Sequence, residues 1–249
     1  MARVLGVDGC RGRWAACAWE GPGTAPVLTL EADPAGVLAA ADRHGAEVVG
    51  LDLPLGLVTE GERAADAAAR AYLLVAARRR PGPNARGAAS RVFVTPVRQV
   101  VAHGGTYAQA RELARSLGAP APSAQAYALL GHVRAWDAVA AERVDGPGRL
   151  VEVHPELSFT EMAGRLLAPK RSARGARQRL TVLAGDRGLG CSDAALTSAL
   201  EAADVHIALD DALDAMAAAW SAWRVVEDVA VLVPEHEQWD GRRAVRIHV

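Results

Sequence analysis

Cysteine is scarce. The 249-residue chain has three, Cys10, Cys17 and Cys191. Three cysteines make no disulfide framework, and no C-x-x-C spacing is present, so neither a disulfide scaffold nor a structural zinc site is expected. Lysine is scarcer still: Lys170 stands alone, and the other 27 of the 28 basic residues are arginines. Two Phe, six Trp and three Tyr leave few candidates for stacking on bases. There is no surplus of either charge, because the formal net charge is -1. That balance argues against a protein held on nucleic acid by bulk charge. No apolar run of membrane-spanning length is free of charge, so no transmembrane helix is expected. Asp8 sits where a secretory signal would need apolar residues, which gives the expectation of a cytoplasmic protein.

What is present is apolar enough for a sizeable core, with 51% hydrophobic residues. The length suits one domain over 1–249, with a helical insertion at about 60–147. Three strand-like runs open the chain: Arg3 to Gly9, Arg13 to Glu20 and Val27 to Ala32. Their short connections predict an antiparallel meander. Pro34 to His44 reads as a helix, with Asp33 to cap its start and Gly45 beyond its end. Glu47 to Pro54 is a fourth strand, and the helical crossover places it parallel to the first. Arg149 to Glu156 is expected as the fifth. The fold class is therefore α/β, a mixed five-stranded sheet ordered 3-2-1-4-5 with flanking helices. Helices are expected over Glu62 to Arg80, Tyr107 to Leu117, Ser123 to Arg143, Ser158 to Leu167, Ala173 to Ala184, Asp193 to Ala203 and Asp210 to Glu227. Pro81 to Ser90 reads as a loop. Two C-terminal strands, Val229 to Pro234 and Arg243 to Val249, complete the pattern.

The acids fall in register. Strand one carries Val4, Gly6 and Asp8 on one face, and strand four carries Val48, Gly50 and Asp52. As parallel neighbours they set Asp8 beside Asp52 at the C-terminal sheet edge, where open α/β sheets bind ligands. The late helix supplies Asp210, Asp211 and Asp214, and its alanines let it pack closely over Gly6 and Gly50. Clustered carboxylates need a cation or a proton between them. Hard divalent cations want such oxygen ligands, and Mg2+ or Mn2+ can activate water for phosphodiester cleavage. Taken singly, Asp8 also fits a turn-closing role and Asp210 a helix cap. Glu152 and His154 share one face of the fifth strand and suit the same site, a supporting shell, or the solvated face of an edge strand.

Several segments carry a resemblance. They are GVDGCRGRW (Gly6 to Trp14), LDLPLGL (Leu51 to Leu57), RAADAAAR (Arg63 to Arg70), SRVFVTPVR (Ser90 to Arg98), EVHPELSF (Glu152 to Phe159) and DDALDAMAAAWSAWR (Asp210 to Arg224). With these the chain resembles the proteins grouped as domain of unknown function 429, described as predicted nucleases of the RNase H-like fold. It departs at Ser90-Arg91-Val92-Phe93-Val94-Thr95-Pro96, where that family usually has S-S-V-F-P-T-P. More distantly it is similar to RuvC-like resolvases, whose last helix carries the D-A-x-D-A seen at Asp211 to Ala215. The resemblance implies an RNase H-like core, with Asp8, Asp52, Asp211 and Asp214 as metal ligands. Glu152 and His154 have no counterpart in the wider scheme.

The expected function is a metal-dependent nuclease or phosphodiesterase, with nucleic acid or another phosphodiester as substrate. Arg63, Arg70, Arg91, Arg98 and Lys170 are candidate phosphate contacts, within basic stretches that include Arg78 to Arg80, Arg86 and Arg171 to Arg179. Solvated charge is the plainer reading of such runs. Asp66 is spaced to pair with Arg70. The alternatives are a nucleotide- or phosphate-ligand enzyme on the same core, and a non-enzymatic binding or scaffold protein. GDRGLG (Gly185 to Gly190) lacks a phosphate-loop setting and reads as a surface turn. Cys10 reads as a small buried thiol, and Ser158 lacks a nucleophile elbow.

Overall fold

Arg11 and Gly12 both adopt positive φ, as a tight two-residue hairpin turn requires. They join β1 (Val4–Cys10) to β2 (Arg13–Trp19), and β3 (Val27–Glu31) completes the meander. The computed structural model describes residues 2–80, 85 and 87–249. Helix α1 (Pro34–His44) starts at Asp33, whose carboxylate accepts from Gly36 N at 2.8 Å, and stops at Gly45 with φ 62°. The crossover then lays β4 (Val48–Leu51) parallel to β1. Helices α2 (Ala64–Arg79), α3 (Arg98–His103), α4 (Tyr107–Ser116) and α5 (Ala124–Ala140) separate β4 from β5 (Arg149–Val153). Then come α6 (Pro155–Ala163), α7 (Ala173–Ala184), α8 (Asp193–Glu201) and α9 (Leu209–Val226). Strands β6 (Leu232–Val233) and β7 (Ile247–His248) end the chain.

The sheet order is β3-β2-β1-β4-β5-β7-β6, which contains the expected 3-2-1-4-5 and adds two strands. This mixed sheet flanked by helices is consistent with an RNase H-like core. One face packs Leu5, Val7, Val49 and Leu51 against α1 and the α3–α5 helices, with Trp14 and Trp136 edge-on at 5.3 Å. The other face packs Val4, Val48 and Val151 against α9, with α6, α7 and α8 around it.

The structure corrects several expectations. β5 ends at Val153, because Pro155 takes the first position of α6 with His154 as its N-cap residue. β5 is no edge strand, since β7 pairs with its outer side. The C-terminal strands form only over two residues each, with Val231 and Val249 exchanging backbone hydrogen bonds beside them. Helix α3 was outside the sequence pattern, as six residues carry too little periodicity. GDRGLG is a turn as expected, with Asp186 and Arg187 exposed and Gly188 and Leu189 tucked inward. Of the expected Pro81 to Ser90 loop, Pro81 to Asn84 lie outside the described residues, as does Arg86.

Candidate functional site

Two glycines set the site's geometry. They face each other in the β1–β4 register, Gly6 beside Gly50, and α9 crosses directly over them. A Cβ on Gly6 would lie 2.0 Å from Ala219 N and 2.2 Å from Ala215 O; one on Gly50 would lie 2.7 Å from Ala218 O. Only glycine allows this approach. Two residues on from Gly6 is Asp8, still on the α9 face of the sheet. Asp52 follows β4 and its amide continues the ladder, donating to Val7 O at 2.9 Å. One residue before Ala215, Asp214 projects from the start of the same helix.

The result is a cluster of three carboxylates. Asp8, Asp52 and Asp214 each offer an oxygen within 4.8 Å of the others, the one such group among the described residues. Asp8 and Asp214 are buried and Asp52 is partly so. Burial raises the Asp8 carboxyl well above the ordinary range, and the charges of Asp52 and Asp214 push the same way. Burial raises Asp52 too, against the pull of His154 and Lys170. Asp214 is pushed up to about 7 by burial, with Lys170 opposing. Asp8 Oδ1 accepts from Gly9 N at 2.8 Å, and Asp214 Oδ2 accepts from Lys170 Nζ. Asp214 Oδ1 is buried with no hydrogen-bond partner among the described residues. An all-oxygen donor set with an orphaned buried carboxylate oxygen suits a hard divalent cation.

The cluster forms the floor of a cleft of about 670 Å³. Asp210, Asp211, Glu152, His154 and Lys170 also line it. Asp211 stands outside the three-carboxylate group. Asp210 does not cap α9: the N-cap residue is Ala208, and Asp210 lies 3.7 Å from Arg171. His154 Nδ1 is buried without a hydrogen-bond partner among the described residues. Glu152 faces inward and braces the chain after β4, accepting from Leu55 N at 2.7 Å and from Arg63. Burial pushes its carboxyl up to about 7, although Arg63 pulls it down.

The basic residues divide sharply. Arg63 is fully buried, bound to Asp66 at 2.9 Å, Thr95 at 3.1 Å, Leu55 O at 3.2 Å and Glu152. It ties α2 to β5 and offers no surface to a ligand. Asp66 therefore serves Arg63 and the Thr95 amide, at 2.6 Å, while Arg70 pairs with Glu62; the expected Asp66–Arg70 pair does not form. Arg98 bridges Asp137 at 2.7 Å and Asp240 at 2.9 Å, outside the cleft lining. Arg91 does line the cleft, bonded to Glu156 and to Leu167 O at 3.0 Å. Burial works against the Lys170 ammonium, but Asp214 and Asp8 outweigh it and hold its pKa above the usual lysine value.

Some lining residues escaped the sequence reading. Arg11 lies in the hairpin turn that follows β1 and Arg13 opens β2; both are exposed and line the cleft. Their place at that turn was the available signal. His132 of α5 packs edge-on against Trp14 at 5.2 Å, a pairing between distant segments that no local pattern announces. Arg179 is buried and holds Glu156 together with Arg91, so part of the second basic stretch is internal. Cys10 is a buried thiol, as expected, at the edge of the cleft lining, and the Ser158 hydroxyl meets that of Ser221 at 2.8 Å inside the protein. No helix among the described residues is long and apolar enough to cross a membrane.

No curated protein and no solved structure matches the chain. One family model does, across residues 6–238, and the chain belongs to that family, described as "Protein of unknown function (DUF429)".

Proposed function

We propose that the protein is a divalent-metal-dependent phosphodiesterase acting in the cytoplasm, with nucleic acid as its foremost substrate class. The observation that carries this reading is the close approach of Asp8, Asp52 and Asp214 on the floor of an open cleft. These three carboxylates would hold Mg2+ or Mn2+. Such an ion supplies Lewis acidity, lowering the pKa of a water and offsetting charge on the leaving oxygen. The protein's own groups do the rest. Arg11, Arg13 and Arg171 line the cleft and suit phosphate oxygens, which guanidinium binds in bidentate fashion. His154 lines the same cleft and adds an imidazole beside the carboxylates. Asp211, at the rim, adds negative charge that favours a cation at the floor.

One observation favours a second reading. Lys170 already partners Asp214, so part of the acid cluster is neutralised from within. On that reading the site is a binding or scaffold feature without hydrolysis. Incubation with single-stranded DNA, duplex DNA and RNA, in Mg2+, Mn2+ or EDTA, separates the two. Hydrolysis that needs metal and falls roughly a hundredfold or more in Asp8→Asn supports the enzyme. Metal binding with no cleavage of any of the three supports the scaffold.

A further inference from the structure

The chain's single lysine pairs with a member of the three-carboxylate cluster. Lys170 comes from the connection between α6 and α7 and reaches Asp214 Oδ2, its side chain 35% exposed against 4% for Asp214. Its positive charge also acts on Asp8 and Asp52, opposing the burial that raises both carboxyls. One oxygen of Asp214 is thus committed to an ammonium, while the other, Oδ1, is buried and lacks a partner among the described residues. One oxygen of Asp8 is likewise held by the Gly9 amide. Within the three-carboxylate group, with Asp211 standing outside it, three ionised carboxylates and one ammonium leave two negative charges, which a single divalent cation neutralises. A second divalent cation would meet the ammonium's charge at short range and compete with it for Asp214.

We propose that the Lys170 ammonium serves as a built-in second cation, so that this cleft takes one divalent ion, on Asp8, Asp52 and Asp214 Oδ1. This rests on the metal-binding reading of the cluster. Lysine suits the task because its ammonium is a compact point charge on a flexible stem. The basic side chain nearest the carboxylates then belongs to the cation site itself, and Arg11, Arg13 and Arg171 remain for the substrate.

Mn2+ alone is the probe. Titration of the full chain, followed by the electron paramagnetic resonance signal of free Mn2+ and by calorimetry, reads the number bound. Wild type should bind one Mn2+ per chain. Lys170→Met should bind a second, with the first held at least about tenfold tighter because a like charge is gone. Lys170→Arg should stay at one. Two ions in the wild type overturn the proposal without any variant. One ion at unchanged affinity in Lys170→Met overturns it too, while leaving the metal site standing. No ion in any of the three proteins removes the metal reading itself. Melting temperatures in EDTA show that each variant is folded.

Discussion

Position 6 decides how closely helix and sheet approach. Gly6→Ala would drive a methyl into the α9 backbone, where neither side can yield, and should cost about 3 kcal/mol or more. Gly9 lies on the same strand but meets only the Trp14 ring, at 4.0 Å, so Gly9→Ala should change stability by less than about 1 kcal/mol. Urea unfolding of the two variants checks the contrast. Arginines differ in the same way. Arg63→Met strands Glu152 and Asp66 as buried carboxylates without their counter-ion and should cost about 3–5 kcal/mol. Arg70→Met loses a partly exposed pair with Glu62 and should cost under about 1 kcal/mol. Equal losses at positions 63 and 70 would contradict the division of basic residues drawn from burial.

At the scale of elements, β7 brings a pH dependence of its own. His248 is buried, its ring nitrogen at 3.2 Å from Glu152 O, and burial holds its pKa down at about 4. A histidine that must stay neutral stabilises the fold fully above its unfolded value, near 6.5. That stabilisation is lost as pH falls toward 4. Against His248→Asn, wild type should therefore be about 2 kcal/mol less favoured at pH 5 than at pH 8, by urea unfolding at both. A difference independent of pH would show that the ring is solvated. The elements also mark what the sequence made legible. β1, β4 and α9 could be read because period-two alternation put Gly6 with Asp8 and Gly50 with Asp52, while alanines marked the tight helix. The alternation paired Asp8 with Asp52, while the helix spacing offered Asp211 and Asp214 alike, of which only Asp214 joins the cluster. Arg63 with Glu152, Arg179 with Glu156 and Lys170 with Asp214 could not be read, because each joins segments far apart in the chain. Arginine on a helix looks alike from sequence whether it faces solvent or a buried acid.

Across the whole molecule, the sheet edge, α9 and the α6–α7 connection converge to hold like charges together in one cleft. Burial and mutual repulsion both disfavour the ionised acids, so the fold carries a cost there that a bound cation removes. Asp8 is the cleanest probe, because Asp214→Asn would also release Lys170. Thermal unfolding of wild type and Asp8→Asn, each in EDTA and in Mn2+, tests this directly. Wild type should melt about 5–10 °C higher at a hundredfold excess of Mn2+ over Kd. Asp8→Asn should lose most of that shift and, in EDTA, should melt no lower than wild type, since a repulsion is relieved. A wild type that ignores Mn2+, together with an Asp8→Asn protein that melts early in EDTA, would contradict the metal site and leave Asp8 as a structural carboxylate.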